Sequence, residues 1–250
     1  MAVFDEHLMA CAARIQVGPA RQSFWAVLTR ADGRLRERTR MLPPRRDHAV
    51  ELAPGWMRVR DGDVELTLEL AEAAHAEERV ETRCQHEHGG EVWTRKQVGV
   101  PARGRLSLDR GLAREIDALA VIDDTAGYHA RHTEWFWSAG VGSDERGRAL
   151  GWNLVAGVND PEVGSERAVW LEGMPSEARP VRFAPDLSEI LAEDGSVLKF
   201  VAEAERRRSE NLLLVRSDYR APFGTFHGSL PGGLKLAHGI GVVEHHRAKW

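Results

Sequence analysis

Residues 64–70 read Val-Glu-Leu-Thr-Leu-Glu-Leu. Val64, Leu66, Leu68 and Leu70 fall on one side of an extended chain, and Glu65, Thr67 and Glu69 on the other. A period of two predicts a strand with one buried face; a helix would repeat its apolar residues every three or four positions. Asp61-Gly62 supplies a two-residue hairpin turn to the preceding segment 56–60. The same grammar recurs outward. Asp32-Gly33 separates 24–30 from 34–40, Gly89-Gly90 separates 82–88 from 91–98, and Asp194-Gly195 precedes 197–202. Closely spaced turns between short apolar runs predict an all-β protein, an antiparallel barrel or sandwich with few short helices. Segments 69–80 and 201–208 are rich in Ala, Glu and Arg and compatible with a few helical turns. The second has no apolar stripe, and we read it as a strand running into 212–215. Pro101, Gly104 and Asp109-Arg110-Gly111 punctuate the chain near its middle. They suggest two β halves, 1–108 and 109–250, with the candidate site in the second.

Composition narrows the function. The chain has 250 residues, 34 Lys+Arg against 38 Asp+Glu and a formal net charge of -4, so no global basic field recruits nucleic acid. Two cysteines, Cys11 and Cys84, make neither a disulfide framework nor a zinc motif, and are read as thiols in a reducing compartment. The first residues lack a basic segment followed by an apolar run, and no stretch reaches 18 apolar residues. A cytoplasmic protein without a membrane span is the expectation. Ser229 lacks the glycine two residues before it that a nucleophile elbow needs, and Gly140-Val-Gly142 lacks the third glycine of a dinucleotide loop. No cofactor is therefore expected. His86 and His88 would share a strand face, but they sit at a hairpin tip and no H-E-x-x-H occurs, so no metal is expected.

Residues 123–142, Asp-Asp-Thr-Ala-Gly-Tyr-His-Ala-Arg-His-Thr-Glu-Trp-Phe-Trp-Ser-Ala-Gly-Val-Gly, concentrate ionisable and aromatic side chains. So many charges do not suit a plain core strand, and two tryptophans do not suit a surface loop. Read as a strand with an entry turn, 123–137 sets His129, Arg131, Thr133, Trp135 and Trp137 on one side, with the indoles as an apolar wall and His129 and Arg131 as a polar end. Asp123 and Asp124 are neighbours, so their side chains point to opposite faces and only one enters a cavity. A carboxyl forced against an apolar wall becomes a usable acid. Asn153, polar within the apolar run 151–157, and Glu166 form a second candidate pair. The plainer alternative makes the indoles core and the polar groups a solvated strand end. Arg34, Arg36, Arg38 and Arg40 alternate along one strand, with Arg45 and Arg46 beyond Pro43-Pro44. Such a ladder could meet an acidic partner, or simply keep a sheet edge from aggregating.

Several blocks resemble a known family. They are 94–101 (Thr-Arg-Lys-Gln-Val-Gly-Val-Pro), 123–137, 152–157 (Trp-Asn-Leu-Val-Ala-Gly), Ser165-Glu166, 216–219 (Arg-Ser-Asp-Tyr), 222–224 (Pro-Phe-Gly) and 244–250 (Glu-His-His-Arg-Ala-Lys-Trp). In that order they are similar to the bacterial domain-of-unknown-function family numbered, in words, twenty-eight hundred and four. The resemblance covers most of 90–250. It implies a lipocalin-like (calycin) β architecture, similar in kind to carotenoid hydratases and to cyclases of apolar natural products. It implies Asp124, Gly127, Trp135, Trp137, Asn153, Gly157 and Glu166 as the marked positions, and it brings no established reaction.

The sequence thus predicts a cavity for a small apolar molecule, lipid- or isoprenoid-like, with Trp135, Trp137 and Trp152 as walls and Arg131 and Asn153 orienting a polar group. The alternative in the same cavity is a cofactor-independent hydratase, isomerase or cyclase, with Asp124 as general acid helped by His129 or Glu166. A third reading is an interaction module using the arginine-lined strand.

Overall fold

The structure is a computed structural model describing residues 1–42, 49–85, 90–212 and 215–249. Among these residues the chain is all-β, in two antiparallel sheets with one short 3-10 segment at Glu72–Glu78. The expected strand 201–208 lies inside β17 (Val197–Leu212), and the expected helix over 69–80 shrinks to that 3-10 segment. Arg45, Arg46, His86 and His88 lie outside the described residues.

The first sheet has ten strands. Its main path places β4 (Arg34–Leu42), β3 (Ala20–Thr29), β2 (Leu8–Val17) and β1 (Ala2–Phe4) beside β10 (Arg114–Gly127). It continues through β9 (Glu91–Leu108), β7 (Val64–Leu70), β6 (Trp56–Asp61) and β5 (Val50–Ala53), and β8 (Val80–Gln85) pairs with β9 off this path. Val64, Leu66, Leu68 and Leu70 are buried and the residues between them exposed, as their alternation requires. A two-residue turn is present one residue further on than expected, at Gly62-Asp63 between the paired Asp61 and Val64, with Gly62 in the left-handed region at φ +63°.

Two compact units divide the chain. One comprises Met1–Ala76 with Val100–Val121, the other Glu77–Gly99 with Ile122–Trp250. The boundary read near 108/109 falls within the first unit, because β9 and β10 each contribute residues to both.

The second unit holds the nine-stranded sheet. Its order begins with β14 (Met174–Glu177), β13 (Ala168–Leu171), β12 (Ala149–Ala156) and β11 (His132–Ser143). It continues with β19 (Leu234–Lys249), β18 (Val215–Leu230), β17, β16 (Glu189–Ala192) and β15 (Val181–Phe183). The sheet curls until β12 and β15 meet. The enclosed side is packed with Leu150, Trp152, Leu154, Phe200, Phe226 and Val243, among others, with Trp152 edge-on to Phe226 at 4.8 Å between ring centroids. Each large apolar side chain so buried contributes about 2 kcal/mol. Trp152 fits because its indole lies against Gly140, where any Cβ would collide with the ring, and its Nε1 donates to Ser138 Oγ at 3.0 Å. The interior expected to be a ligand cavity is, in this part of the sheet, occupied by side chains.

Candidate functional site

The stretch 123–137 is not one strand. Asp123 to Gly127 end β10, residues 128–131 cross over, and β11 begins at His132. Gly127 sits at φ +153°, and a Cβ there would strike the backbone of Glu91 and Val92, so the chain leaves β10 at a point only glycine can take. His129 is therefore half-buried in the crossing and Arg131 is exposed there, rather than in register with the tryptophans.

Strand register sorts the other candidates. Trp137 pairs with Val155 and Glu244, Ala139 with Asn153 and Val242, and Trp135 with His246. Directly paired residues share a face, so Trp135, Trp137, Asn153, Glu244 and His246 project from one side of the sheet. Trp152 projects from the other, into the apolar core. The structure thus brings together Trp135, Trp137, Asn153 and Glu166, and leaves out Trp152 and Arg131.

Behind the half-buried indoles lies a buried polar chain. Trp137 Nε1 donates to Asn153 Oδ1 at 2.8 Å, and Asn153 Nδ2 donates to the Glu166 carbonyl at 2.9 Å. Asn159 Nδ2 donates to Glu166 Oε2 at 3.0 Å. Glu166 Oε1 lies 3.3 Å from Lys96 Nζ, both side chains being 3% exposed, and Lys96 reaches Asp123 Oδ1 at 2.6 Å. Burial pushes the Glu166 carboxyl up, opposed by the Lys96 charge. The Lys96 ammonium is raised despite burial, because the charges of Asp123 and Glu166 favour it. Asp124 faces elsewhere, bonded by Arg95 through Nε at 2.9 Å.

Glu244 is the residue that sequence reasoning missed as a candidate acid. Trp135 Nε1 donates to its Oε1 at 2.9 Å, and Tyr219 also hydrogen-bonds it. Burial, reinforced by the charge of Asp123, raises its carboxyl to about 7 against the bonds from Trp135 and Tyr219 and the charge of Arg206. Its side chain nonetheless keeps 16% of its surface open. His246 completes the wall, 4.3 Å from the Trp135 ring and 5.3 Å from Tyr219 between centroids, with Nε2 2.8 Å from Ser217 Oγ. Burial lowers His246 to about 4, so its ring is neutral at pH 7. Arg206, itself buried, lies over the Tyr219 ring with Cζ 5.2 Å from its centroid. A solvent-reachable carboxyl that is half protonated at neutral pH, set among aromatic rings, can exchange a proton with an apolar molecule laid on that wall. A signal was present in the sequence: an acid two residues from His246 within an apolar-alternating terminal strand.

The first unit holds a cavity of about 570 Å³ lined by Arg40, Ala49, Glu51, Arg58, Arg60, Asp61 and Gly62. Its polar wall does not match the apolar pocket the sequence suggested. The arginine ladder is largely engaged: Arg34 and Arg36 pair with Asp109, and Arg38 and Arg40 with Asp61. Among the described residues no cluster of three or more His, Cys, Asp or Glu is placed to hold a metal, and no helix is long and apolar enough to cross a membrane.

The family model described as "Domain of unknown function (DUF2804)" matches residues 44–250. No curated protein matches the sequence significantly. Two solved structures are similar over nearly the whole chain. One is a protein of Nitrosomonas europaea assigned as AttH, with TM-score 0.56 and 12% identity, covering 95% of this chain and 86% of that one. The other is kievitone hydratase of Nectria haematococca, with TM-score 0.54 and 10% identity, covering 97% and 84%. At these identities they show the fold, which is lipocalin-like.

Proposed function

The chain belongs to the DUF2804 family, and we propose that it is a cofactor-independent acid–base enzyme adding water to, or removing it from, a small apolar molecule. The observation that carries this reading is Glu244, a desolvated carboxyl raised to about 7 and bonded to Trp135. A proton donor for a carbon–carbon double bond must be protonated at working pH yet able to ionise, and a carboxyl near 7 meets both demands. Protonating an alkene leaves a carbocation, which the faces of Trp135 and Trp137 would stabilise as aromatic rings stabilise other cations. The likeness in fold to kievitone hydratase agrees with this chemistry and adds no residue to it. Asp124, the acid expected from sequence, is less suited, because Arg95 holds it and its side chain is 43% exposed. Binding of the apolar molecule without turnover remains the simpler form of the same proposal.

The test is incubation of the purified protein with a panel of apolar alkenes and tertiary alcohols in 18O-labelled water, followed by mass spectrometry. Label should enter product or exchange into alcohol, and Glu244→Gln should slow this roughly 100- to 10,000-fold, the worth of a general acid. Turnover unaffected by Glu244→Gln refutes the assignment. Retention of an apolar ligand with no label exchange reduces the protein to a binder.

A further inference from the structure

An acid alone does not complete water addition, because the attacking water must lose a proton. This inference rests on the reading of Glu244 as the acid and supplies its counterpart from the same strand. His246 follows Glu244 by two residues on β19, so both side chains leave one face of the sheet. Its partners in register are Tyr219 on β18 and Trp135 on β11, with ring centroids 5.3 Å and 4.3 Å from its own. His246 Nδ1 stands 3.9 Å from Glu244 Oε1, and each side chain keeps 16% of its surface open. That gap is too long for a hydrogen bond, so neither group consumes the other's proton. Glu244 Oε1 accepts instead from Trp135, and His246 Nε2 meets Ser217 Oγ at 2.8 Å. With the ring proton on Nε2, donated to Ser217, the lone pair is on Nδ1, the nitrogen beside the acid. We infer that His246 is the base for the attacking water, working through Nδ1 beside Glu244, so that proton and hydroxyl reach the same face of the double bond.

The groups facing His246 are Glu244 on its own strand, Ser217 and Tyr219 on β18 and Trp135 on β11. Arg206 on β17 reaches the Tyr219 hydroxyl at 3.5 Å. Burial keeps the ring neutral at pH 7, while the charge of Asp218 favours the imidazolium and that of His245 opposes it. Its weak basicity is no obstacle, because water joined to a carbocation is an oxonium, a far stronger acid than an imidazolium. The chemistry balances without an oxidant or reductant. The π electrons of the alkene take the Glu244 proton and form the new C–H bond. A lone pair of water forms the C–O bond, and the oxonium proton passes to His246 Nδ1. Glu244 is then carboxylate and His246 imidazolium, opposite charges 3.9 Å apart. The proton returns from Nδ1 to the carboxylate through a water, and both groups are restored. In dehydration the same steps run backwards.

The experiment repeats the 18O assay, with the same alkenes and tertiary alcohols, on full-length His246→Gln and His246→Ala. Both should incorporate label roughly 100- to 10,000-fold more slowly, the worth of a general base. Imidazole and methyl-substituted imidazoles added to His246→Ala should restore the rate, the more so the more basic the imidazole. A gap merely refilled would respond to size alone. The unmodified protein should lose rate as pH falls through about 4, where His246 takes a proton, and His246→Gln should lack that limb. The pH comparison decides the matter should His246→Ala fail to fold. Incorporation at the unmodified rate in His246→Gln, or rescue indifferent to basicity, overturns the base; with Glu244→Gln still slow, the acid stands. Absence of incorporation by the unmodified protein overturns acid and base together.

Discussion

Trp137 and Asn153 are joined by a hydrogen bond of 2.8 Å between adjacent strands, and Asn153, fully buried, spends its amide on the Glu166 carbonyl. The bond ties the aromatic wall to the charged floor. Replacing Asn153 by Leu keeps the branched shape but strands the Trp137 donor and the Glu166 acceptor together. The expected loss is about 2–4 kcal/mol, since each orphaned buried group costs about 1–3 kcal/mol. Urea unfolding measures it, and a double-mutant cycle with Trp137→Phe should show coupling of about 1 kcal/mol.

Lys96 lies between Asp123 and Glu166 with 3% of its side chain exposed. Lys96→Met would leave two carboxyl groups beside an apolar chain. Breaking one partner of a buried pair costs about 3–5 kcal/mol, so the variant should unfold at clearly lower denaturant. Adding Glu166→Gln should recover part of that loss, because one buried charge then no longer needs neutralising. A double variant whose loss is simply the sum of the two single losses would show that Lys96 and Glu166 are not energetically coupled.

Glu244 and His246 give the second unit opposing pH dependences. Glu244 binds its proton more tightly folded, at about 7, than unfolded, at 4.5. Its contribution therefore favours folding at low pH and is lost as pH rises from 4.5 to 7. His246 is lowered from 6.5 to about 4, so its contribution is absent below 4 and grows as pH rises to 6.5. Glu244→Gln should remove the falling limb and raise stability at pH 8 by up to about 3 kcal/mol, since each tenfold change in proton affinity is worth roughly 1.4 kcal/mol. Stability of this variant should then climb between pH 4 and 6.5. Chemical denaturation at pH 4, 6 and 8 reads both limbs, and a flat difference between wild type and variant would contradict the assignment.

The β class was legible because strand alternation is local: 64–70 fixes its buried face within seven residues. The stretch 123–142 was legible as chemistry but not as geometry. Its two strands are separated by a crossing at 128–131, and a period of two carries no phase across such a break. Glu244 becomes the neighbour of Trp137 only through the β11–β19 register, which no short-range pattern encodes. Lys96 reads in sequence as one basic residue in an ordinary strand, and its role appears only when β10 and the Glu166 loop close around it. Trp152 and Asn153 are neighbours and so point to opposite faces; the sequence reading set both in one cavity, whereas Trp152 meets the core and Asn153 the Trp137 side.

In the first unit, Asp61 is held in the same fashion by unlike partners. Trp25 Nε1 donates to its Oδ2 at 2.9 Å, Arg38 Nη1 reaches Oδ1 at 2.7 Å, and Arg40 reaches both oxygens. Burial opposes ionisation, but the bonds from Arg40 and Trp25 and the charges of Arg40 and Arg38 outweigh it, so the carboxyl lies below its ordinary 3.8. The folded form thus ionises more readily than the unfolded one. The stabilisation is complete above pH 3.8 and fades as pH falls through the folded value. Asp61→Asn keeps an acceptor for Trp25 but withdraws the charge that faces both guanidiniums, and should cost about 2–3 kcal/mol at pH 7, the worth of a charge-assisted bond. As pH falls below 3.8 and through the lowered folded value, protonation costs the wild type the same interaction, and the gap between the two proteins should narrow. Paired urea titrations at pH 7 and at decreasing pH below 3.8 decide it, and an equal gap throughout would mean that the Asp61 charge does not hold this end of the sheet.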